Sequence, residues 1–245
     1  IAVLVRSIVV LPTYNEAETI RPYVRALRAV STDIELLVVD DNSPDGTGDI
    51  VRELGADDPG IRLLHRDAKD GLGAAYRAGF RTVLSEDYDV IVSMDADLSH
   101  DPAVIPTMLE LIEQGADVVI GSRYVEGGGT ANWPMRRRVL SRWGNAYTRA
   151  VLGIHVRDCT AGFRAYRSDV LAAIDPGTTR AEGYAFLTEL IRRLDHQGYR
   201  IEETPITFTD RTLGSSKMSP TIIAESMWRV TRWAVVNRLF GRGRH

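Results

Sequence analysis

The chain has 245 residues, a length that suits one large α/β domain or two small ones. Hydrophobic residues make up 44% and charged residues 26% of the chain, which excludes a disordered chain, a fibrous protein and a bundle of membrane-spanning helices. The net charge is -3, from 30 basic and 33 acidic residues, so the chain as a whole is not expected to neutralise a nucleic acid.

The sequence contains one cysteine, Cys159, so an internal disulfide is excluded and a reducing, cytoplasmic compartment is expected. We expect Cys159 to be a small packed residue. The apolar stretch at residues 1–5 is interrupted by Arg6. It is too short for a signal peptide or for a span of about 20 apolar residues, so no membrane-crossing segment is expected.

Apolar runs of strand length alternate with segments of helical period in the first half of the chain, which is typical of βαβ units around a mostly parallel sheet. The predicted strands are Ser7–Leu11, Glu35–Asp40, Ile61–His65, Val90–Met94 and Asp117–Gly121. Helices that begin near a capping or turn residue such as Asn15, Ser43 or Asp101 are predicted at Glu16–Val30, Asp45–Leu54, Gly73–Leu84 and Pro102–Gln114. The predicted fold class is α/β.

This alternation stops after Arg123. The run Gly127–Thr130 predicts a flexible loop or lid. The later predicted elements are an arginine-rich helix at Met135–Leu152, a helix at Ala181–His196, a strand at Arg200–Thr209 and a basic amphipathic helix at Pro220–Phe240. The apolar stripe of that last helix either packs on the domain or contacts a membrane. We expect one domain at residues 1–218, with the helix and basic tail of residues 219–245 belonging to it.

Polar and acidic residues follow the first, second and fourth predicted strands, where an open parallel sheet binds its ligands. Asp95 and Asp97 are two residues apart, and side chains at this spacing on extended backbone point the same way. Two carboxylates without a nearby cysteine suit Mg²⁺ or Mn²⁺ shared with a substrate diphosphate, although such a pair also caps helices.

The segment from Gly127 to Arg157 contains no acidic residue, but it holds six arginines: Arg136, Arg137, Arg138, Arg142, Arg149 and Arg157. The planar fork of arginine suits phosphate, and the interleaved Trp133, Trp143 and Tyr147 suit a lipid-water boundary. The segment therefore predicts a phosphate-binding loop that becomes ordered when ligands bind, and the alternative is a solvated helix face.

Three other kinds of site are rejected. Gly71 and Gly73 follow the third strand as in a dinucleotide fingerprint, but Tyr76 stands where a third small residue is needed. The sequence also has no Gly-Lys-Ser/Thr phosphate loop and no plausible serine or cysteine triad.

Six motifs together resemble the family 2 glycosyltransferases of GT-A fold, and within them the dolichol-phosphate (polyprenol-phosphate) mannose synthases. In chain order they are Leu11-Pro-Thr-Tyr-Asn-Glu16, Val38-Val-Asp-Asp-Asn-Ser-Pro-Asp-Gly-Thr47, Gly71-Leu-Gly-Ala-Ala-Tyr76, Met94-Asp-Ala-Asp-Leu-Ser-His100, Gly121-Ser-Arg123 and Gly162-Phe-Arg164. The resemblance runs from about Ser7 to Lys217, which is nearly the whole chain.

The resemblance implies that mannose moves from GDP-mannose to a polyprenyl phosphate with inversion at the anomeric carbon. It also implies a peripheral enzyme on the cytoplasmic face of the membrane that uses Mg²⁺ or Mn²⁺, while a membrane-anchored partner protein stays an open question. It assigns the nucleoside to Pro12, Tyr14, Glu16, Val39 and Asp41, and the metal and diphosphate to Asp95 and Asp97. Ser99 stands where some relatives carry Gln as a further metal ligand. The resemblance assigns the acceptor phosphate to Arg123, Arg137 and Ser141. It assigns further contacts with the diphosphate or the acceptor to Arg211 and Lys217.

The residues agree with this chemistry. A nucleoside diphosphate leaves with negative charge, which a cation and arginines stabilise. The acceptor phosphate, with a second pKa near ~6 by analogy with phosphorylated side chains, is already a nucleophile at neutral pH, so no strong general base is required. Asp158 either orients or deprotonates the acceptor, or has a structural role in its loop.

Three alternatives are weighed against this function. A UDP-glucose-dependent polyprenyl-phosphate glucosyltransferase would share almost every motif. A non-catalytic domain that binds anionic lipid would not need the two metal carboxylates. A sugar-nucleotide pyrophosphorylase would need a glycine-rich, lysine-containing phosphate motif near the N-terminus, which this sequence lacks.

Overall fold

A twisted sheet with helices on both faces organises the protein. The computed structural model describes residues 5–210 and 227–235, except for the side chain of residue 184. The strands are β1 (Ser7–Thr13), β2 (Glu35–Asp40), β3 (Ile61–His65), β4 (Val90–Ser93), β5 (Val118–Ser122), β6 (Gly129–Ala131), β7 (Arg164–Arg167), β8 (Ile201–Pro205) and β9 (Thr207–Thr209). The helices are α1 (Ala17–Val30), α2 (Thr47–Asp57), α3 (Leu72–Val83), α4 (Ile105–Glu113), α5 (Met135–Leu152), α6 (Ser168–Ala173), α7 (Gly183–His196) and α8 (residues 227–235), with 3₁₀ turns at Pro102–Val104 and Pro176–Thr178.

The strand order places a crevice at the centre of the sheet. Within the described residues, seven strands form one sheet in the order β3-β2-β1-β4-β7-β5-β8, and β6 and β9 form a second, parallel pair. The chain winds outward from β1 to β3 and then returns to add β4 on the other side of β1. The loops after β1 and β4 therefore diverge, and in open α/β sheets this switch point is where ligands bind.

Two apolar layers cover the two faces of the sheet. Along β1, Ile8 and Val10 pack into the layer formed with α3 and α7, whereas Val9 and Leu11 pack into the layer formed with α1 and α4. Both sets are fully buried. A strand covered on both sides has no solvated face, which explains its continuous run of apolar residues.

The predicted elements of the first half are confirmed to within three residues at each end. The α5 helix is confirmed over the whole predicted range, Met135–Leu152, and residues 227–235 of the predicted terminal helix are helical. Val230 and Ala234 of α8 are buried in the core, so this part of its apolar stripe packs on the domain.

Three features differ from the sequence predictions. The strand predicted at Arg200–Thr209 is two strands, β8 and β9, because Pro205 has no N–H and ends the pairing with β5. The glycine run predicted as a flexible loop overlaps β6, which pairs with β9. The antiparallel strand β7 was not predicted, because its sequence, Arg-Ala-Tyr-Arg, has no apolar run.

Among the described residues, none of the helices combines the length and the apolar character needed to cross a bilayer.

Candidate active site

The loops after β1 and β2 are joined by hydrogen bonds into one wall of the crevice. The backbone N–H of Asn15 donates to Ser43 Oγ, that of Glu16 donates to Thr47 Oγ1, and that of Ala17 donates to Asp45, each at 3.0 Å. Asn15 takes a left-handed conformation with φ of 59°, which asparagine tolerates better than most residues. This wall holds Tyr14 and Glu16 at the switch point between β1 and β4.

Two adjacent aspartates at the end of β2 have different contacts. Asp40 is buried and accepts hydrogen bonds from Thr13 Oγ1 at 3.0 Å and from the N–H of Ser43 at 3.0 Å, so it fixes the loop. Asp41 is also buried, and its carboxylate pairs with Arg66. Burial raises the pKa of Asp41 above its usual value, and the opposing charge of Arg66 does not fully offset this. Of the two, Asp41 is the predicted nucleoside ligand.

Arg66 and Lys69 contact predicted site residues, although the sequence analysis did not single them out. Arg66 directly follows β3, and it bridges Asp41 and Asp70, with 3.0 Å between Arg66 Nη2 and Asp70 Oδ2. The Lys69 ammonium lies 3.7 Å from the ring centre of Tyr14. The end of β3 lies at the same edge of the sheet as the ends of β1 and β2. Arg66 could therefore have been predicted as a candidate from its position directly after β3.

Three other predicted nucleoside residues have local contacts. Pro12 lies in β1 opposite Val39 of β2. The Val39 side chain is fully buried and packs toward Gly79 of α3, so it lies in the core and not in the crevice. The Glu16 carboxylate accepts a 2.9 Å hydrogen bond from Thr19 Oγ1 in the first turn of α1.

The two carboxylates predicted to bind metal lie immediately beyond β4. Asp97 is 6% exposed, and its Oδ1 accepts a 3.1 Å hydrogen bond from the N–H of Ser99. Leu98, which lies between Asp97 and Ser99, has a φ of 60°, and this left-handed conformation is energetically costly for a branched residue. The side chain of Asp95 is one-third exposed, and its Oδ2 lies 3.4 Å from Nε2 of buried His100.

The donor set fits a divalent cation that shares its ligands with a substrate. Ser99 Oγ is buried and has no hydrogen-bond partner among the described residues. This oxygen, close in sequence to the two carboxylates, is therefore available as a further metal ligand. Among those residues, no group of three or more His, Cys, Asp or Glu side chains is arranged to hold a metal. Mg²⁺ or Mn²⁺ that is bound together with a diphosphate takes some of its oxygen ligands from that diphosphate, so two carboxylates and one hydroxyl fit such an ion.

The segment Asp158–Gly162 connects Asp95, one of the two carboxylates predicted to bind metal, to Arg123. At one end, Asp158 accepts hydrogen bonds from Arg123 Nε at 2.7 Å and Nη2 at 2.6 Å, and Thr160 Oγ1 accepts another from Nη2 at 2.7 Å. At the other end, a Cβ on Gly162 would lie 3.2 Å from an oxygen of Asp95. Ser93 Oγ donates to the carbonyl of Gly162 at 2.8 Å and holds this end in place.

Asp158 is fully buried, and its position favours the orienting role over that of a base. Burial alone would raise its pKa, but the charge and hydrogen bonds of Arg123 outweigh burial and hold the pKa of Asp158 below its usual value. A carboxylate that is fully engaged and weakly basic is a poor proton acceptor. Arg164, also fully buried, donates to the carbonyls of Leu187 and Cys159 at 2.8 and 3.1 Å and supports the same segment.

A row of aromatic rings runs from His100, which lies beside Asp95, to the predicted acceptor residues. His100 lies between Phe163 and Phe208, with ring centres 5.4 and 5.1 Å away, and Phe208 contacts Trp133 at 5.3 Å. Trp133 is 4% exposed, so the prediction that it lies at a lipid boundary is wrong. Trp143, at 55% exposed, and the half-buried Tyr147 stack on each other.

Arg123 and Arg137 meet at the ring of Trp133. The guanidinium carbon of Arg137 lies 3.9 Å from the ring centre and that of Arg123 lies 5.5 Å from it. Arg137 Nη1 also donates to both oxygens of Asp210 at 2.9 and 2.8 Å, so this arginine is paired within the chain. Ser141 Oγ accepts a 2.6 Å hydrogen bond from the Tyr124 hydroxyl.

The start of α3, where Gly71 and Gly73 were rejected as a dinucleotide site, contacts a carboxylate of the chain itself. Glu182 accepts a 3.2 Å hydrogen bond from the N–H of Ala74 at the start of α3 and pairs with Arg77. A Cβ on Gly73 would lie 2.7 Å from Glu182 Oε2, so glycine leaves room for this carboxylate. An anion of the chain therefore occupies the helix N-terminus that a bound pyrophosphate would need.

Three further predicted residues complete the comparison with the sequence. Cys159 is fully buried, as predicted, and burial raises the pKa of its thiol to about 12. Arg211 and Lys217 lie outside the described residues.

Comparison with known proteins agrees with this geometry. The model of the glycosyl transferase family 2 matches residues 8–175. The undecaprenyl-phosphate mannosyltransferase of Micrococcus luteus is 48% identical over 236 residues, which cover 96% of this chain and 97% of that protein. The polyprenol monophosphomannose synthase of Mycolicibacterium smegmatis is 47% identical over 235 residues, covering 96% of this chain and 89% of that protein.

A solved structure shares the fold at lower identity. The glucosyl-3-phosphoglycerate synthase from Mycobacterium tuberculosis, in complex with Mn²⁺, uridine diphosphate and glucosyl-3-phosphoglycerate, superposes with a TM-score of 0.63 at 23% identity. The match covers 95% of this chain and 80% of that one. The family match over most of the chain, the two similar sequences and the crevice at the switch point lead to one conclusion: the chain belongs to the family 2 glycosyltransferases.

Proposed function

We propose that this protein transfers mannose from GDP-mannose to the phosphate of a polyprenyl phosphate and so makes a polyprenyl-phosphate mannose. The observation that carries the proposal is the segment Asp158–Gly162, which joins Arg123 at one end to Asp95 at the other. A phosphate acceptor and a sugar diphosphate need such neighbouring sites. The names of the two relatives, each nearly half identical over almost the whole chain, support the choice of sugar and acceptor.

In the proposed reaction, an oxygen of the acceptor phosphate forms a bond to the anomeric carbon of the sugar. The bond from that carbon to the diphosphate breaks, and its electron pair leaves with the nucleoside diphosphate, so the configuration inverts. Arg123 and Arg137 bind and orient the acceptor phosphate, and Asp158 positions Arg123. No side chain needs to remove a proton, because the acceptor is already largely a dianion at neutral pH, with a second pKa near ~6.

Asp95, Asp97 and Ser99 would hold Mg²⁺ or Mn²⁺, which supplies positive charge to the departing diphosphate. Asp41 and Arg66, on the wall formed by the ends of β1, β2 and β3, bind the nucleoside. The lipid acceptor places the reaction at a membrane surface, and we propose that the enzyme works peripherally on the cytoplasmic face.

Transfer of labelled sugar tests the proposal. GDP-mannose, UDP-glucose, GDP-glucose and UDP-mannose are each offered with a short polyprenyl phosphate, with Mg²⁺ or Mn²⁺ and with a chelator. We expect lipid labelling by GDP-mannose that the chelator abolishes. Labelling by UDP-glucose instead would show that glucose, not mannose, is transferred by the same type of reaction. No labelling by any donor would overturn the transferase proposal.

Asp97→Asn separates catalysis from simple lipid binding. The substitution keeps the size and the acceptor oxygen that receives the Ser99 N–H, so the loop is retained. We expect turnover to fall by at least ~100-fold, as for the loss of a major electrostatic contact to the transition state, while lipid binding is kept. Turnover equal to that of the unmodified protein would contradict the metal assignment.

A further inference from the structure

A cavity of about 260 Å³ lies between α5 and the loop that follows β5. Its walls include Arg123, Tyr124, Arg142, Asn145, Arg149 and Arg157. Among the described residues that line this cavity, Arg123 is the only one assigned above to the metal, the nucleoside or the acceptor. The cavity is therefore a neighbour of the acceptor site with its own set of side chains.

The positive charge of this cavity is only partly compensated. Its lining holds four arginines and no carboxylate. Arg123 is engaged by Asp158, but Arg142, Arg149 and Arg157 form no salt bridge with any described residue. The nearby carboxylate of Glu203 accepts hydrogen bonds from the backbone N–H groups of Arg157 and Asp158, at 2.8 and 3.0 Å.

The wall that carries two of these arginines is held rigidly. Arg142 and Arg149 are seven residues apart on α5, so they lie on the same face of the helix, two turns apart. Asn145 between them is 2% exposed. Its amide donates to the Ser141 carbonyl at 3.0 Å, and its Oδ1 accepts from the N–H of Cys159 at 2.8 Å. The guanidinium groups therefore stand on a fixed frame, and guanidinium forks match phosphate oxygens.

The same helix presents an apolar surface. Among the described residues, the large apolar side chains that are exposed lie on two helices, Met135, Val139, Leu140 and Trp143 on α5 and Trp228 and Val235 on α8. The two helices touch where the hydroxyls of Tyr147 and Thr231 are 2.8 Å apart. Exposed apolar side chains beside arginines are typical of a surface that lies on an anionic membrane.

We propose that the cavity is a second phosphate-binding site and that its occupant is the headgroup phosphate of an anionic membrane lipid. Bound there, the headgroup docks α5 on the bilayer and brings the acceptor arginines to the surface where the polyprenyl phosphate lies. The choice of a lipid as the source of the phosphate rests on the proposed function. The phosphate site itself rests on the cavity and its charge.

Vesicle binding without any nucleotide sugar tests the proposal, so a failure of the transfer reaction and a failure of this site are seen separately. Sedimentation with phosphatidylcholine vesicles, with and without phosphatidylglycerol, is measured for the unmodified protein and for Arg142→Gln/Arg149→Gln. We expect binding that depends on phosphatidylglycerol and a partition coefficient at least about tenfold lower in the double variant. The thermal melting curve confirms that the variant is folded.

Arg25→Gln/Arg81→Gln is the matched control, because it removes the same charge from exposed arginines on α1 and α3. We expect its partition coefficient to change by no more than about twofold, because charges far from the bilayer are screened. An equal loss in both double variants would overturn the site in favour of general charge attraction.

Titration with inorganic phosphate in the presence of EDTA distinguishes the source of the phosphate. Backbone amide signals of Gly128 and Asn145 are followed by NMR, in the unmodified protein and in Arg157→Gln. Saturable shifts in the unmodified protein alone support the phosphate site. Such shifts without any effect of phosphatidylglycerol would overturn the lipid as occupant, and no shifts together with no lipid dependence would overturn the site.

Discussion

The carboxylate of Asp158 holds the guanidinium of Arg123 in a buried ion pair with two hydrogen bonds, at 2.7 and 2.6 Å. Asp158 is fully buried and Arg123 is 8% exposed. Because both charges are removed from water, each charge depends on the opposite charge of the other. The predicted acceptor residue is therefore positioned by a partner that lies 35 residues further along the chain.

Asp158→Ala should destabilise the protein by about 3 to 5 kcal/mol, because it leaves the guanidinium of Arg123 buried without its partner. Chemical denaturation measures this change. Asp169→Ala is the matched control: it breaks the exposed pair with Arg167 and should cost about 1 kcal/mol or less. Similar losses in the two variants would contradict the special role of the buried pair.

The same pair predicts an acid dependence of stability. The pKa of Asp158 in the folded protein lies below its usual value of 3.8, because Arg123 outweighs the effect of burial. Its contribution to stability is therefore complete above about pH 4 and is lost as the pH falls through the lower, folded-state pKa. The free energy of unfolding, measured between about pH 2 and pH 5, should fall with acid less steeply in Asp158→Asn than in the unmodified protein.

Gly162→Ala should weaken metal binding. The added Cβ would lie 3.2 and 3.3 Å from the two carboxylate oxygens of Asp95, so the carboxylate must shift by a few tenths of an ångström. We expect the affinity for Mn²⁺, measured by calorimetry, to fall roughly tenfold, the lower end of what outer-shell changes cost. Gly144→Ala on α5 is the control, because its Cβ meets nothing within 4 Å. Unchanged Mn²⁺ affinity in Gly162→Ala would refute this account of Asp95.

Gly73→Ala should destabilise the start of α3 by about 1 to 3 kcal/mol, because its Cβ would lie 2.7 Å from Glu182 Oε2 and 2.9 Å from the backbone carbonyl of Ala181. Thermal melting measures the loss. Adding Glu182→Ala to Gly73→Ala should recover little of it, because the backbone carbonyl still blocks the methyl group. Full recovery in the double variant would assign the clash to the carboxylate alone.

Arg137→Lys should raise the KM for polyprenyl phosphate more than it lowers kcat. Lysine keeps the charge but loses both the two-oxygen contact with Asp210 and the stacking on Trp133. We expect a KM at least about tenfold higher, from the loss of about 1.4 kcal/mol of binding. Steady-state kinetics with varied acceptor checks this, and an unchanged KM would show that Arg137 does not bind the acceptor.

The sequence was sufficient for the elements whose residue patterns are local. The strand at Ile61–His65 and the helix at Met135–Leu152 were predicted with their observed ends, because apolar period and flanking turn residues define them. The carboxylates at Asp95 and Asp97 were recognisable from their spacing after an apolar strand. These signals need no knowledge of distant parts of the chain.

The contacts that arrange the site were not predictable in this way. Arg66 reaches Asp41 from the end of a different strand, and Phe208 joins His100 to Trp133 across more than 70 residues of chain. The short strand β7 carries the fully buried Arg164, which a polar sequence does not predict. Such features depend on which side chains the fold brings together.

The sequence by itself therefore determined the fold class and the family and led to the predicted metal and acceptor residues, because period and motif spacing are properties of neighbouring residues. Only the tertiary structure decided that Asp158 positions Arg123, that Glu182 contacts the glycine-rich start of α3, and that Arg142 and Arg149 of α5 line a cavity. The physical reason is burial: the value of a charge depends on its partner and on its distance from water, and both are fixed when distant segments pack together.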